Sequence, residues 1–492
     1  MSVATALRTT ILPISNILAA LVMGFSGMML VPLVLAFVER DAGQPGFGDA
    51  ALTVFLPAVA YWLLTRRFRR ELKVRDGILL VTVAWVLLPA VAAMPLMIGI
   101  PGLHFTDAYF ETVSGITTTG ATVLSGLDHL PPSLNFWRHF LNWVGGMGII
   151  VLAVAVLPLL GVGGMQLYRA ETPGPMKDSK LTPRIAHTAK ALWYVYAGIT
   201  LACVLALLAA GMNWFDAICH AFSALSLGGF STHDANVAWF HSLPIEVILT
   251  VFQVIAAMNF ATHFMAVRER SFAPLLRDSQ AMALLRILAI SCVGIALFLT
   301  LEGTYPDFWT SLRHATFNLV TIATDCGYST QDFGRWPLFA PMWMLFLSCV
   351  TCSAGSTGGG IKMIRTLVLA KSSLREMVGI LHPNIEMPVR VGSTIISNQV
   401  VLSVLGFVFL YFMSIVALTL ILLATGLDLT SSISAILACI NNAGPGLGVV
   451  GPATTYAALG DVQKWVCIVA MLLGRLEVFS LLVVFTPAFW RK

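Results

Sequence analysis

Apolar runs of about twenty residues recur along the whole of this chain, and a helix of that length crosses ~30 Å of hydrocarbon. The first is LPISNILAALVMGFSGMMLVPLVLAFV, from Leu12. It is too long for the apolar part of a signal peptide and has no evident small-residue cleavage site, so it reads as a retained helix. Only 11% of the 492 residues are charged, against about 25% in an average soluble domain. The chain is therefore expected to be an all-α polytopic membrane protein with no room for a sizeable soluble domain.

Most of the 29 Lys and Arg fall in every second connection. They occur at Arg8, in RRFRRELKVR from Arg66, in YRAETPGPMKDSKLTPRIAHTAK from Tyr168, between Arg268 and Arg286, between Lys362 and Arg390, and in the final Arg491 and Lys492. By the positive-inside rule those connections and both termini are cytoplasmic. Charge spaced so regularly is a poor match to nucleic-acid binding. The eight cysteines are scattered through apolar segments; Cys349 and Cys352 form a C-x-x-C but read as small buried hydrophobes rather than a redox or metal pair.

Between the basic connections one pattern repeats four times: an apolar span, a shorter half-apolar segment ending in a Gly-rich loop, and a second apolar span. The loops align as GITTTGATVL (115–124), ALSLGGFSTH (224–233), IATDCGYSTQ (322–331) and CINNAGPGLG (439–448). Each has glycine at its sixth place: Gly120, Gly229, Gly327 and Gly444. Successive glycines lie about a hundred residues apart, the length of one such unit. An aspartate near the start of each short segment, Asp107, Asp216, Asp307 and Asp428, suits the positive end of a helix. A helix of about ten residues, rising 1.5 Å each, reaches only halfway through a membrane, so the chain must turn back. The expected architecture is about ten spanning helices and four re-entrant helix-loops around a pseudo-fourfold axis. It divides into a two-helix extension (1–70) and four units at 71–170, 171–270, 271–385 and 386–492.

Irregular backbone at membrane depth is tolerated where it is buried in protein or lines a watery cavity. Glycine at the turn permits φ > 0 and lets neighbouring carbonyls face one way, where they can replace the hydration shell of a cation. The carbonyl ends of four helices aimed at one point would favour that cation further. A single Thr-rich loop would read as a turn with hydroxyls bonded to the backbone, but four equivalents point to an ion filter.

These motifs, together with NWVGGMGIIVLAVAVLPLLGVGGMQLYRAETPGPMKDSK and SAGSTGGGIKMIR, resemble the TrkH potassium-uptake family of bacteria, within the Trk/Ktr/HKT superfamily. The likeness covers nearly the whole chain, including the two-helix extension. It implies a homodimer in the bacterial inner membrane, with one pore per subunit and potassium as the substrate. Potassium would lie on the backbone carbonyls of Thr118, Thr119 and Gly120, of Leu227, Gly228 and Gly229, of Asp325, Cys326 and Gly327, and of Asn442, Ala443 and Gly444. Glycine at all four central places matches potassium-selective members, whereas some plant relatives carry serine at the first and favour sodium. The resemblance also implies a cytosolic TrkA-like ring that holds the regulating nucleotide, with no cofactor in this chain itself. The basic connections are compatible with such docking, and equally with anionic lipid.

Asp325 departs from the pattern, since a small or hydroxyl residue is expected two places before the glycine. Its carboxylate either adds charge to the ion path or turns away and bonds behind the filter. Filters place side chains outward and carbonyls inward, which favours the second.

AGSTGGGIK (354–362) interrupts the second span of the third unit with poor helix formers. The phosphate-loop pattern fails there, because Ile361 holds the lysine place and Lys362 follows one late. In the TrkH family the matching segment is an intramembrane loop that must move to let ions pass, which makes Gly355, Ser356, Thr357, Gly358, Gly359, Gly360 and Lys362 gate residues. Arg475 lies in the last span, where arginine is costly and marks function by default; the plainer alternative is an arginine that locks helices by bonding carbonyls. The family's equivalent arginine stands at the pore constriction. Glu477, two residues on, faces elsewhere. His220, His233 and Glu111 have groups able to bind protons, but polar side chains satisfying buried backbone are the commoner case.

Two other functions remain open on the residues. One is the ion-binding subunit of a primary potassium pump, which shares the four-unit plan. The other, a membrane enzyme, lacks any grouped nucleophile, base and orienting residue. Channel conduction and proton symport are not separated by these motifs.

Overall fold

The computed structural model describes residues 11–68, 73–155, 181–392 and 394–490. Residues 156–180, with much of the second basic cluster and the 170/171 boundary, lie outside the described residues, as do Arg8, Arg69 and Arg70 of the first cluster with the 70/71 boundary, and the terminal Arg491 and Lys492.

Two helices precede the repeats. The first run folds as α1 (Leu12–Met28) and α2 (Leu30–Glu39), which join through a still-helical Met29. Arg40 in the left-handed region ends α2, and α3 (Gln44–Thr65) returns alongside α1. Asn16 fastens the two, its amide donating to Trp62 O at 3.0 Å and Thr65 Oγ1 at 2.8 Å. A buried amide in an apolar helix needs such partners.

Each unit then supplies a long first helix: α4 (Val74–Gly99), α7 (Leu181–Ala209), α12 (Ser279–Leu301) and α16 (Asn398–Ala424). A short helix follows: α5 (Phe105–Ile116), α8 (Trp214–Ser226), α13 (Phe308–Ala323) and α17 (Leu429–Asn441). Among the described residues six stretches are long and apolar enough to cross a membrane, namely these four first helices and the two of the N-terminal pair. The second helices differ. The first, α6 (Pro132–Ala155), is continuous. The second is a pair, α9 (Leu243–Ala257) and α10 (Phe260–Glu269), bent by 100°. Asn259 causes the break, because its side chain caps α10 by accepting from Ala261 N–H. A one-turn helix, α11 (Ala273–Arg277), leads into the third unit. There α14 (Phe339–Val350) stops before the glycine stretch and α15 (Met363–Leu381) starts after it, as expected from AGSTGGGIK. A small antiparallel hairpin, β1 (Arg390–Val391) and β2 (Thr394–Ile395), leads to the fourth unit. Its second helix, α18 (Asp461–Arg475), is also interrupted: Glu477 and Val478 both have positive φ before α19 (Phe479–Val484) and a final turn, α20 (Pro487–Trp490).

Packing closes the units into a ring. One apolar core joins the N-terminal pair, the first unit and the fourth; a second joins units two and three. The last unit meets the first through α18 against α5, and Lys464 pairs with Asp107 at 2.5 Å across that seam.

Candidate functional site

The aspartates at the short helices divide into two roles. Asp307 and Asp428 are N-caps, accepting from Trp309 and Thr310 N–H and from Ser431 N–H respectively. Asp107 and Asp216 sit one turn further in; Asn213 caps α8 instead, and Asp107 pairs with Lys464.

After each short helix the chain turns and runs back along the helix it came down. Val123 N–H donates to Glu111 Oε2 at 3.0 Å, Thr232 Oγ1 to Asp216 Oδ1 at 2.6 Å, Thr330 N–H to Asn318 Oδ1 at 3.1 Å and Leu447 N–H to Ser434 Oγ at 2.8 Å. All four segments are thus re-entrant.

The turns share one backbone pattern. Thr118, Leu227, Asp325 and Asn442 have φ of +53°, +55°, +64° and +59°; the next residue does not; then Gly120, Gly229, Gly327 and Gly444 have +78°, +63°, +88° and +83°. Alternating handedness turns successive carbonyls to one side, and glycine adopts the left-handed state without a Cβ penalty. The glycines also interlock. A Cβ added to Gly120 would strike the carbonyl oxygen of Gly228, one on Gly229 that of Cys326, one on Gly327 that of Ala443, and one on Gly444 that of Thr119, at 2.7 Å. Each segment therefore abuts the next, in the order one, two, three, four and back to one. All twelve sequence-predicted filter residues are brought together in this closed ring.

The ring is braced from behind. Glu111 and Arg138 form a buried ion pair at 2.8 Å. Arg138 reaches onward to Ser231 O at 3.3 Å and lies over the Phe230 ring, so one pair ties the first segment to the second. Tyr456 donates to Gly444 O at 2.8 Å and its N–H to Thr122 O, tying the fourth to the first. Tyr328 donates to His220 O at 3.0 Å, tying the third to the second. His220 bonds Asp216 O and Ser231 Oγ, a backbone-satisfying role of the kind expected for it. At the outer rim His233 lies between Asp128 at 2.5 Å and Asp216 at 3.3 Å. Burial opposes charge on its ring, but the bonds to Asp216 and Asp128 outweigh this and raise its pKa.

The glycine stretch crosses the carboxyl ends of the short helices. Thr357 Oγ1 donates to Leu225 O at 3.0 Å, and Gly359 N–H to Asp325 Oδ2 at 3.0 Å. An added Cβ would strike the Cys352 side chain and then Leu227 from Gly358, Asn441 O from Gly359, and Ser348 O and Cys349 O of α14 from Gly360, so none of the three positions has room for a side chain. Gly355 O accepts from Phe260 N–H, and the Lys362 ammonium folds back onto Gly358 O. Arg475, 1% exposed, donates to Thr357 O at 3.0 Å and Gly145 O at 2.8 Å. It thereby joins the glycine stretch to α6, the carbonyl-bonding arrangement weighed for it. Glu477 pairs with Arg365 at 2.6 Å, apart from Arg475. Asp325 turns behind the ring toward the glycine stretch, where Cys352 Sγ also approaches at 3.3 Å. All eight cysteines are buried and free, and no group of three or more His, Cys, Asp or Glu is placed to hold a metal among the described residues.

Arg138, Tyr328 and Tyr456 carry no signal in the sequence that marks them out. The breaks at Asn259 and Glu477 were equally unforeseen, although an asparagine before FATHF is an N-cap signal in hindsight.

This arrangement defines a class: helical multi-pass membrane proteins in which four re-entrant helix-loop units close on one axis. The family model described as TrkH, cation transport protein, matches residues 44–492. The chain belongs to the TrkH family. The Trk system potassium uptake protein TrkH of Vibrio parahaemolyticus is 46% identical over 487 residues, covering 98% of this chain and 99% of that protein. That of Salmonella typhimurium is 45% identical over 480 residues, covering 97% and 99%. A crystal structure described as the potassium transporter TrkH from Vibrio parahaemolyticus superposes with a TM-score of 0.90 at 42% identity, covering 98% of this chain and all of that one.

Proposed function

We propose that this chain carries potassium inward across the bacterial inner membrane, with the four-segment ring as its selectivity filter and the glycine stretch as its gate. The observation that carries the reading is the closed circuit of glycine against carbonyl, which holds four carbonyls at one level around an axis. Such carbonyls substitute for the hydration shell of a cation. The gate reading rests on Gly358 and Gly359, packed against Leu227 and Asn441 beneath that circuit, and on Arg475, a buried cation fastened to the same stretch. A positive charge there opposes cation passage until the stretch moves. By family likeness the working unit is a homodimer with both termini cytoplasmic, regulated from inside by a TrkA-like ring that binds nucleotide. The near-full-length match to potassium uptake proteins favours this over a pump subunit.

The test is rubidium-86 uptake into proteoliposomes holding this chain alone, with potassium and sodium as competitors. Uptake blocked by potassium and hardly by sodium is the expected result, and its response to an imposed pH gradient separates symport from conduction. No uptake by the wild type or by Arg475→Ala would overturn the reading.

A further inference from the structure

The connection between the second and third units is bonded to the entry of the glycine stretch at both of its ends. It leaves α9, passes through α10 and α11, and ends at the start of α12. At its first foot Ser353 N–H donates to Ala257 O at 2.9 Å and Phe260 N–H to Gly355 O at 3.1 Å. A Cβ added to Gly355, which has φ +75°, would stand 2.9 Å from Asn259 Oδ1. At its second foot Ala354 N–H donates to Gln280 Oε1 at 3.0 Å. Thr262 Oγ1 donates to Asp278 Oδ2 at 3.1 Å and ties one foot to the other. Residues 353–355 therefore rest on both feet of a single excursion of the chain.

The tip of that excursion has the composition of a segment lying on a membrane. α9 has 15 residues and rises about 22 Å, short of the ~30 Å of hydrocarbon, before α10 departs at 100°. A helix turned so far from a crossing one runs along the boundary instead of through it. α10 buries Phe260, Thr262 and His263 against the protein. Outward stand Val267, Phe272 and Leu276, 68%, 77% and 65% exposed, with the exposed Arg268, Arg270 and Arg277 among them. Interfacial segments combine these two kinds of side chain, the apolar ones reaching the acyl chains and the cations the headgroups. From Phe260 to Arg277 the charged residues are three arginines and one glutamate, a net +2. None of the three arginines makes an ion pair among the described residues.

We infer that the α10–α11 tip docks on anionic lipid of the inner leaflet, and that this docking holds the glycine stretch beneath the ring. The inference rests on the gate reading and the orientation proposed above, and adds to them a lipid surface as partner. Each arginine at an anionic surface favours docking about fivefold, so three together are worth about a hundredfold. With the tip docked, both feet are fixed relative to the bilayer, and their bonds to Ser353, Ala354 and Gly355 keep the stretch in place. On neutral lipid the tip is held less firmly, the feet can shift with the stretch, and the closed position loses part of its advantage.

Two readouts of the full chain test this. Thermal unfolding in detergent micelles carrying phosphatidylglycerol or phosphatidylcholine reads the docking. Phosphatidylglycerol should raise the wild-type Tm by ~2 °C or more above phosphatidylcholine, and the triple variant Arg268→Gln, Arg270→Gln, Arg277→Gln should lose that difference. Phe272→Ser should lose part of it, and Arg335→Gln, an outer-rim arginine paired with Asp332, none. Rubidium-86 uptake reads the coupling: in vesicles containing phosphatidylglycerol the triple variant should carry about threefold more than the wild type, and in phosphatidylcholine alone the two should match. Comparing them at one lipid composition cancels the enrichment of cations at an anionic surface. Equal Tm responses in wild type and triple variant overturn the docking. A wild type stabilised no more by phosphatidylglycerol than by phosphatidylcholine also overturns it, and leaves the tip to a protein partner. Unequal Tm responses with equal flux, zero included, overturn the coupling. Arg475→Ala in the same vesicles separates that failure from failure of the gate reading, since a raised flux there keeps the gate and discards only its link to lipid.

Discussion

Replacing Gly444 by serine tests the ring at its least crowded joint. Gly444 has φ +83°, and a residue with a Cβ pays ~1–2 kcal/mol for that backbone. The added Cβ would stand 2.7 Å from the Thr119 carbonyl oxygen, 3.2 Å from Gly120 C and 3.5 Å from Ala121 N. Ordinary carbon contacts begin near 3.5 Å, so the Thr119 carbonyl must move outward by about half an ångström or more. A shift of that order is comparable with the difference in radius between sodium and potassium, the quantity a carbonyl ring must resolve if it selects by fit. A loss of about 1.4 kcal/mol in the preference for potassium is a tenfold loss of selectivity. The expected result is that Gly444→Ser lowers the potassium-over-sodium ratio in rubidium competition by about that factor. Gly120→Ser, Gly229→Ser and Gly327→Ser, whose Cβ atoms would press closer on Gly228, Cys326 and Ala443, should lose more. Gly294→Ser, with open space around its added Cβ, is the control. If Gly444→Ser is folded and keeps a wild-type ratio, the carbonyl of Thr119 is not part of the selecting ring and the argument fails.

Three further outcomes follow from the contacts. Arg475→Ala removes two charge-assisted bonds to backbone, each worth ~1.5–3 kcal/mol, so rubidium flux through the chain alone should rise about tenfold or more; deletion of Gly358 to Gly360 should act in the same direction, and unchanged flux in both would remove the gate assignment. Arg138→Met strands the Glu111 carboxylate in the core and should cost about 3–5 kcal/mol, read as a lower Tm in detergent, whereas adding Glu111→Gln should restore part of it. His233 has a pKa raised above its ordinary 6.5, so its contribution is fully present below pH 6.5 and disappears as pH climbs through the raised value. The Tm should accordingly fall as the pH rises above 6.5, and the slope should flatten in His233→Gln; a wild-type Tm that rises there would contradict the assignment.

What could be read in advance was whatever depends on the backbone alone. The apolar runs set the first helices, because hydrocarbon leaves the chain no other way to pair its amides. The four glycines were visible because left-handed backbone and a carbonyl at van der Waals distance both exclude a Cβ, so one residue type had to recur at one place. The glycine stretch at 354–362 was visible for the same reason. Illegible were the partners of side chains that meet across units. Arg138 lies 27 residues from Glu111 and 93 from Ser231, and nothing local distinguishes it from an arginine at a membrane boundary. Arg475 was conspicuous by its position, yet its acceptors are two carbonyls, Gly145 and Thr357, from other units. The same division applies within the site. Four backbone segments are nearly alike, as a ring of equivalent carbonyls requires, while the side chains that brace them from behind differ from segment to segment. A pseudo-symmetric ring needs only its inner face to match, so the outer face is free to hold one ion pair, two tyrosines and one carboxylate. Asp325 stands at the boundary of the two: its backbone belongs to the ring and its side chain bonds Gly359. A change in the glycine stretch therefore acts directly on the third segment, through Asp325, and on the second, through Leu225 O, and conduction need not respond equally at all four.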